Sequence, residues 1–220
     1  SVHALFDSVR GFGASGKVIY SNTTDAEATN ALIKSVSSTG FTVTASSDNT
    51  GTLVDWCWKA GGSASSNSNG NITSSVSANT TAGFSIVSYT GNGVDLSTTP
   101  QTVGHGLSGV SMVMIKNLSQ TMWWIAKHKD LSDNKVLYLN ATTAETIPVG
   151  GNQGHIGNLS SSGTTFQLVS NSSDVDNVNV SGNNYIAYCF AEKKGYSKFG
   201  NYAGNGNANG PMIFTGFKPA

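Results

Sequence analysis

Charge is scarce in this chain. Lys, Arg, Asp and Glu make up 11% of its 220 residues, against a typical ~25%. Twelve basic residues balance twelve acidic ones, so the formal net charge is zero. That leaves no electrostatic footprint for nucleic acid or an anionic membrane. Long apolar runs are missing as well; none approaches the ~20 residues that span a bilayer as a helix. The opening Ser1-Val-His-Ala-Leu-Phe-Asp7 has neither the basic start nor the apolar stretch of a signal peptide. With no initiator Met, the sequence is expected to be a fragment or a processed product. Only two cysteines are present, Cys57 and Cys189. They are expected to be unpaired, buried thiols, compatible with synthesis in a reducing cytoplasm.

The constellations of catalysis are also missing. There is no Gly-x-Ser-x-Gly elbow to present a nucleophile. The four histidines, His3, His105, His128 and His155, stand apart from one another and from any Cys-x-x-Cys, so no zinc spacing forms. Asp174-Val-Asp-Asn177 offers carboxylates that calcium could use, without the full loop signature. Gly11-Phe-Gly-Ala-Ser-Gly16 spells a dinucleotide fingerprint. It leads into the strand-like Lys17-Val-Ile-Tyr20 rather than a helix, so it is read as a turn. Glu27 and Glu145 occupy matching places in a repeat, which points to structure rather than to an acid–base pair. Asp55 and Glu192 flank the aromatic strands without further support. The expectation is no catalytic, metal or cofactor site. Sequons such as Asn79-Thr-Thr81 and Asn140-Ala-Thr142 are what an Asn/Ser/Thr-rich chain contains by chance.

What the chain does have is an internal echo. Lys17-Val-Ile-Tyr-Ser-Asn-Thr-Thr-Asp-Ala-Glu27 returns as Lys135-Val-Leu-Tyr-Leu-Asn-Ala-Thr-Thr-Ala-Glu145. Val54-Asp-Trp-Cys-Trp-Lys-Ala-Gly61 returns loosely as Ile186-Ala-Tyr-Cys-Phe-Ala-Glu-Lys193. Phe84 to Gly93 returns as Phe199-Gly-Asn-Tyr-Ala-Gly-Asn-Gly206. A period of roughly 110–130 residues is too long for a solenoid and suits a duplicated β-domain. Short apolar or alternating runs, among them Phe41–Ala45, Leu53–Trp58, Phe84–Tyr89 and Tyr185–Phe190, are separated by Asn/Gly/Ser clusters. The fold class is therefore all-β: an antiparallel, jelly-roll-like β-sandwich, internally duplicated. The expected division is a first, incomplete unit over 1–62, a linker or long loop over 63–82, and a second unit over 83–197. Residues 198–220 would start a third repeat or complete the first unit. One helix is expected, from Asp25 to Val36. Trp56 and Trp58, like Tyr188 and Phe190, share one strand face and are expected in the core; an exposed aromatic row would instead suit a sugar.

Several segments resemble structural proteins of tailed phages, abundant in marine phages and their prophage relatives. They are Ser74 to Gly93, Val103-Gly-His-Gly-Leu107, Trp124-Ile-Ala-Lys-His128, Tyr188-Cys-Phe-Ala-Glu192, Trp56 to Gly62 and Phe199 to Pro219. The resemblance covers nearly the whole chain. It implies tandem β-sandwich domains in a large virion protein, and brings no catalytic residue to any position. The leading expectation is a non-enzymatic, virion-surface fibre or appendage segment that contacts the host. It would associate with other virion proteins and copies of itself, with no nucleic-acid partner and no membrane insertion. A host-surface glycan is the external partner considered, met by loops such as Gly91 to Pro100 or Ser170 to Asn184. The alternatives are a capsid decoration (cement) protein and a carbohydrate-binding module. A capsule-degrading enzyme ranks last.

Overall fold

The computed structural model describes residues 3–44, 52–148, 154–172 and 177–218. The described residues are almost all β, and their one helical element is a three-residue 3-10 turn, Gly13–Ser15. The first stretch supplies β1 (Ala4–Leu5), β2 (Lys17–Tyr20), β3 (Ala28–Thr29), β4 (Ile33–Val36) and β5 (Phe41–Val43). The body contains β6 (Ser65–Asn67), β7 (Ser74–Asn79), β8 (Phe84–Thr90), β9 (Gln101–Gly104), β10 (Met112–Asn117) and β11 (Ile125–His128). It continues with β12 (Leu137–Tyr138), β13 (His155–Ile156), β14 (Thr165–Val169) and β15 (Asn184–Phe190).

The body is an antiparallel sandwich. Seven strands pair in the order β12-β11-β10-β15-β8-β7-β6, and β13-β14-β9 form the smaller sheet. Alternation along each strand sends one set of side chains inward. Val87, Val103, Val113, Ile115, Phe166, Leu168, Tyr185 and Ala187 meet in the main core. Tyr89 stacks on Tyr185 with ring centroids 4.9 Å apart. The central strand β15 is buried on both faces. Ala187 and Cys189 point into the sandwich. Ile186 and Tyr188 point to the other side, where Ile19 and Trp124 cover them. The first stretch therefore docks on the outer face of the large sheet. Burying large side chains of this kind contributes roughly 1.5–3 kcal/mol each.

The duplication is visible in the hydrogen bonds. Ala4 and Leu5 of β1 pair with Tyr20 and Ile19 of β2; Ile125 and Ala126 of β11 pair with Tyr138 and Leu137 of β12 in the same register. The His3 amide donates to Asn22 Oδ1 at 2.8 Å, and the Trp124 amide to Asn140 Oδ1 at 2.9 Å. Val18 pairs with Ala28 as Val136 bridges Thr146. Ile33 pairs with Val43 as Ile156 pairs with Leu168. Lys17–Glu27 and Lys135–Glu145 thus occupy equivalent places.

Five expectations need correction. The helix over 25–36 is instead β3 and β4. The Asn30 side chain accepts the Leu32 amide in a local turn, and Ile33 and Val36 find a cross-strand partner that outweighs their loose helical spacing. The linker over 63–82 carries β6 and β7; its small residues allow close backbone contact, since a Cβ on Gly70 would strike the Thr102 carbonyl. Segment 52–61 is not a strand. Trp56 and Trp58 are accordingly 79% and 56% exposed, while Tyr188 is buried. The two cysteines are free, but only Cys189 is buried. Residues 198–218 likewise contain no strand and are mostly exposed.

Candidate functional site

The outer face of the large sheet is divided. At one end Phe84, Ile86, Ile186 and Tyr188 are apolar and covered. At the other the outward positions are short and polar. Ser66, Ser75 and Ser88 stand opposite one another across β6, β7 and β8. Thr90 faces Asn184, to whose Oδ1 it donates at 3.0 Å. Where the first stretch ends its cover, a cleft of about 610 Å³ opens over this hydroxyl floor, walled by Arg10, Lys17 and Glu27.

A buried polar latch fixes that wall. Arg10 Nε donates to Asp7 Oδ2 at 2.5 Å. Its Nη2 donates to the Leu5 carbonyl at 3.1 Å and the Tyr188 hydroxyl at 3.2 Å. The Tyr188 hydroxyl donates to Asp7 Oδ2 at 2.7 Å. Arg10 Nη1 reaches Glu27 Oε1 at 3.4 Å. Burial opposes the guanidinium charge, but Tyr188 and Asp7 beside it hold its pKa above the ordinary value. Burial, then Asp7, pushes the Tyr188 hydroxyl well up, so it stays a neutral donor. Nothing in the expected site residues pointed to Asp7 and Arg10. The available signal was local: Asp7 Oδ1 accepts the Val9 and Arg10 amides, a turn that Asp typically makes.

Two lysines are buried in strands. Lys116 Nζ donates to the Thr24 and Met122 carbonyls at 2.9 and 2.7 Å. Lys127 Nζ donates to the Ser132 and Lys135 carbonyls, both at 2.9 Å. Burial lowers Lys116 to about 8, with Asp25 opposing, and lowers Lys127 too. Each lysine ties a loop to its strand through backbone oxygens.

The histidines stay apart. His3 is exposed and His128 half-buried, with His128 Nδ1 accepting the Asp130 amide at 3.2 Å. His155 is buried in β13. His105 is buried, its Nδ1 accepts the Leu107 amide at 3.1 Å, and its Nε2 has no hydrogen-bond partner. Burial drives its pKa down to about 4. No group of three His, Cys, Asp or Glu side chains suits a metal ion among the described residues. Asp174 and Asp176 lie outside those residues. The Gly11–Gly16 run is a turn entering β2, as its sequence implied. Glu27 joins the latch, whereas Glu145 pairs with Lys135 at 3.0 Å. Glu192 accepts the Phe199 amide at 2.9 Å, and Asp55 lies on the exposed 52–61 segment.

That segment and 198–218 carry the other conspicuous surface. Val54, Trp56, Tyr202, Met212 and Phe214 are all exposed. Both segments leave the body at one aromatic cluster. Trp58 sits 6.2 Å from Phe190, and Phe199 6.0 Å from the same ring.

Comparison with curated proteins and with solved structures finds no match. Residues 1–220 do match a family described as Domain of unknown function (DUF7483). The chain belongs to that family.

Proposed function

We propose that the chain is a non-enzymatic structural protein of a phage particle, a fibre or appendage segment on the virion surface that contacts the host. One observation carries the assembly part of this reading: two segments bearing exposed aliphatic and aromatic side chains stand in solvent on an otherwise well-packed sandwich of zero net charge. Large exposed apolar patches mark interaction surfaces. These segments mix aliphatic Leu53, Val54, Met212 and Ile213 with the aromatics, a composition suited to protein contact. The neutral surface gives little long-range steering, so adhesion would come from many weak, short-range contacts. The phage setting rests on the resemblance of the motifs. Imaging virions labelled with an antibody against this chain tests it, with adsorption measured while the antibody is bound. Surface labelling with blocked adsorption is expected. Unchanged adsorption would favour a capsid decoration protein, and labelling absent from virions defeats both.

A carbohydrate-binding module is the second reading, favoured by the exposed Trp56 and by the hydroxyl-floored cleft. Titrating maltohexaose and chitohexaose into the protein and into Trp56→Ala separates the two. Saturable binding lost in the variant supports the module.

A further inference from the structure

We propose that residues 198–218 of one copy add two strands to the first unit of a second copy, pairing with its 52–61 segment and β5 as β8 and β9 pair with β15 and β14 in the body. Each exposed segment echoes one member of a strand pair that is formed in the body. Gly204-Asn-Gly206 matches Gly91-Asn-Gly93, which sets Tyr202 against Tyr89 and Phe199 against Ile86. Pro211 matches Pro100, which sets Met212 against Gln101 and Phe214 against Val103. In the first unit Trp56 corresponds to Tyr188, Leu53 to Tyr185, Phe41 to Phe166 and Val43 to Leu168.

In the body Ile86 faces Tyr188 and Tyr89 faces Tyr185; Val103 faces Phe166 and Gln101 faces Leu168. Carried over, Phe199 faces Trp56, Tyr202 faces Leu53, Phe214 faces Phe41 and Met212 faces Val43. Seven of these eight side chains are exposed large hydrophobics, and each predicted pair includes at least one of them. One continuous arm thus provides counterparts of β8 and β9 in the right order. Its turn is already shaped for the task. Gly206 has φ +64, as Gly93 has φ +70. The Asn207 amide donates to Asn205 Oδ1 at 3.1 Å, as the Val94 amide does to Asn92 Oδ1 at 3.1 Å.

The donor is assigned to a second copy because, among the described residues, the chain's own arm and its 52–61 segment pair with no strand and β5 pairs only with β4, although Trp58 and Phe199 both meet the Phe190 ring. Strand donation of this kind uses main-chain hydrogen bonds for affinity and alternate side chains for register. It is head-to-tail, so it builds filaments or rings. It holds for a fibre or a decoration protein alike, and its failure leaves the virion reading untouched.

The outward pair Thr42 and Ile213 tests it, because sheet partners lie within disulfide range. Full-length Thr42→Cys and Ile213→Cys, each with Cys57→Ser, are oxidised alone and mixed, and read by mass spectrometry. A mixed dimer forming at least tenfold above the single-variant controls is expected. No mixed dimer overturns the proposal. So does an internal disulfide in monomers carrying both changes, which would place the arm on its own first unit. Phe214→Asp, at an exposed position, is expected to cut self-association at least tenfold in sedimentation without shifting Tm; unchanged association overturns the proposal.

Discussion

The first stretch and the body use the same strand pairs to different effect. Phe41 and Phe166 hold equivalent hairpin positions, yet Phe41 is 37% exposed and Phe166 2%. Val43 and Leu168 differ likewise, at 40% and 0%. The Ile33–Val43 pairing matches Ile156–Leu168, so pairing there follows from local sequence and turn chemistry. Burial does not. It requires an opposing sheet, which β7, β8, β10 and β15 provide to β14 and which none of the described residues provides to β5. A two-stranded hairpin alone is marginal in water. The first unit is held instead by its other side, through Ile19 and the Asp7–Arg10–Tyr188 latch.

The sharpest way to break the comparison is to truncate both phenylalanines. Phe166→Ala should cost about 3–5 kcal/mol. Phe41→Ala should cost about 1 kcal/mol or less, measured by urea unfolding where the chain is monomeric. Equal costs would mean that the hairpins share one environment. Next comes the latch. Asp7→Ala strands the buried Arg10 charge and should cost about 3 kcal/mol or more, whereas Glu145→Ala, on the exposed Lys135 pair, should leave Tm unchanged.

Acid should then distinguish the body. His105 is held at about 4 in the fold, below the ~6.5 of the unfolded chain. Between those values the unfolded state binds the extra proton, so stability falls as pH drops from 6.5 towards 4. The loss approaches about 3 kcal/mol. His105→Phe should flatten that part of the profile, and an unaltered profile would exclude His105 as its source. The last test involves no change in stability. Cys57 should react with a maleimide at the rate of an accessible thiol. Cys189, buried and pushed up to about 12 by burial, should react only when the body opens. Equal labelling of both would remove the asymmetry between the two units.

Much of the fold was legible. Period-2 runs marked most strands, and the repeated Lys17–Glu27 motif located β2 and β12. The cleft was not, because its floor is assembled from Ser66, Ser75 and Ser88, which look like any serines until three strands align them. The latch was hidden for a similar reason: Asp7 and Tyr188 are distant in sequence, and only docking of the first stretch brings them together. Lys116 and Lys127 were invisible as buried residues, since a charged residue within a strand ordinarily turns to solvent.

The sequence by itself determined the all-β class and the repeated Lys17–Glu27 hairpin motif, because side-chain alternation and Asn/Gly turns act over a few residues. Tertiary structure alone decided which copy is buried. Val54, Trp56 and Trp58 carry the same apolar pattern as Ile186, Tyr188 and Phe190. Pattern specifies what a strand offers to a neighbour, and burial depends on whether the neighbour is there.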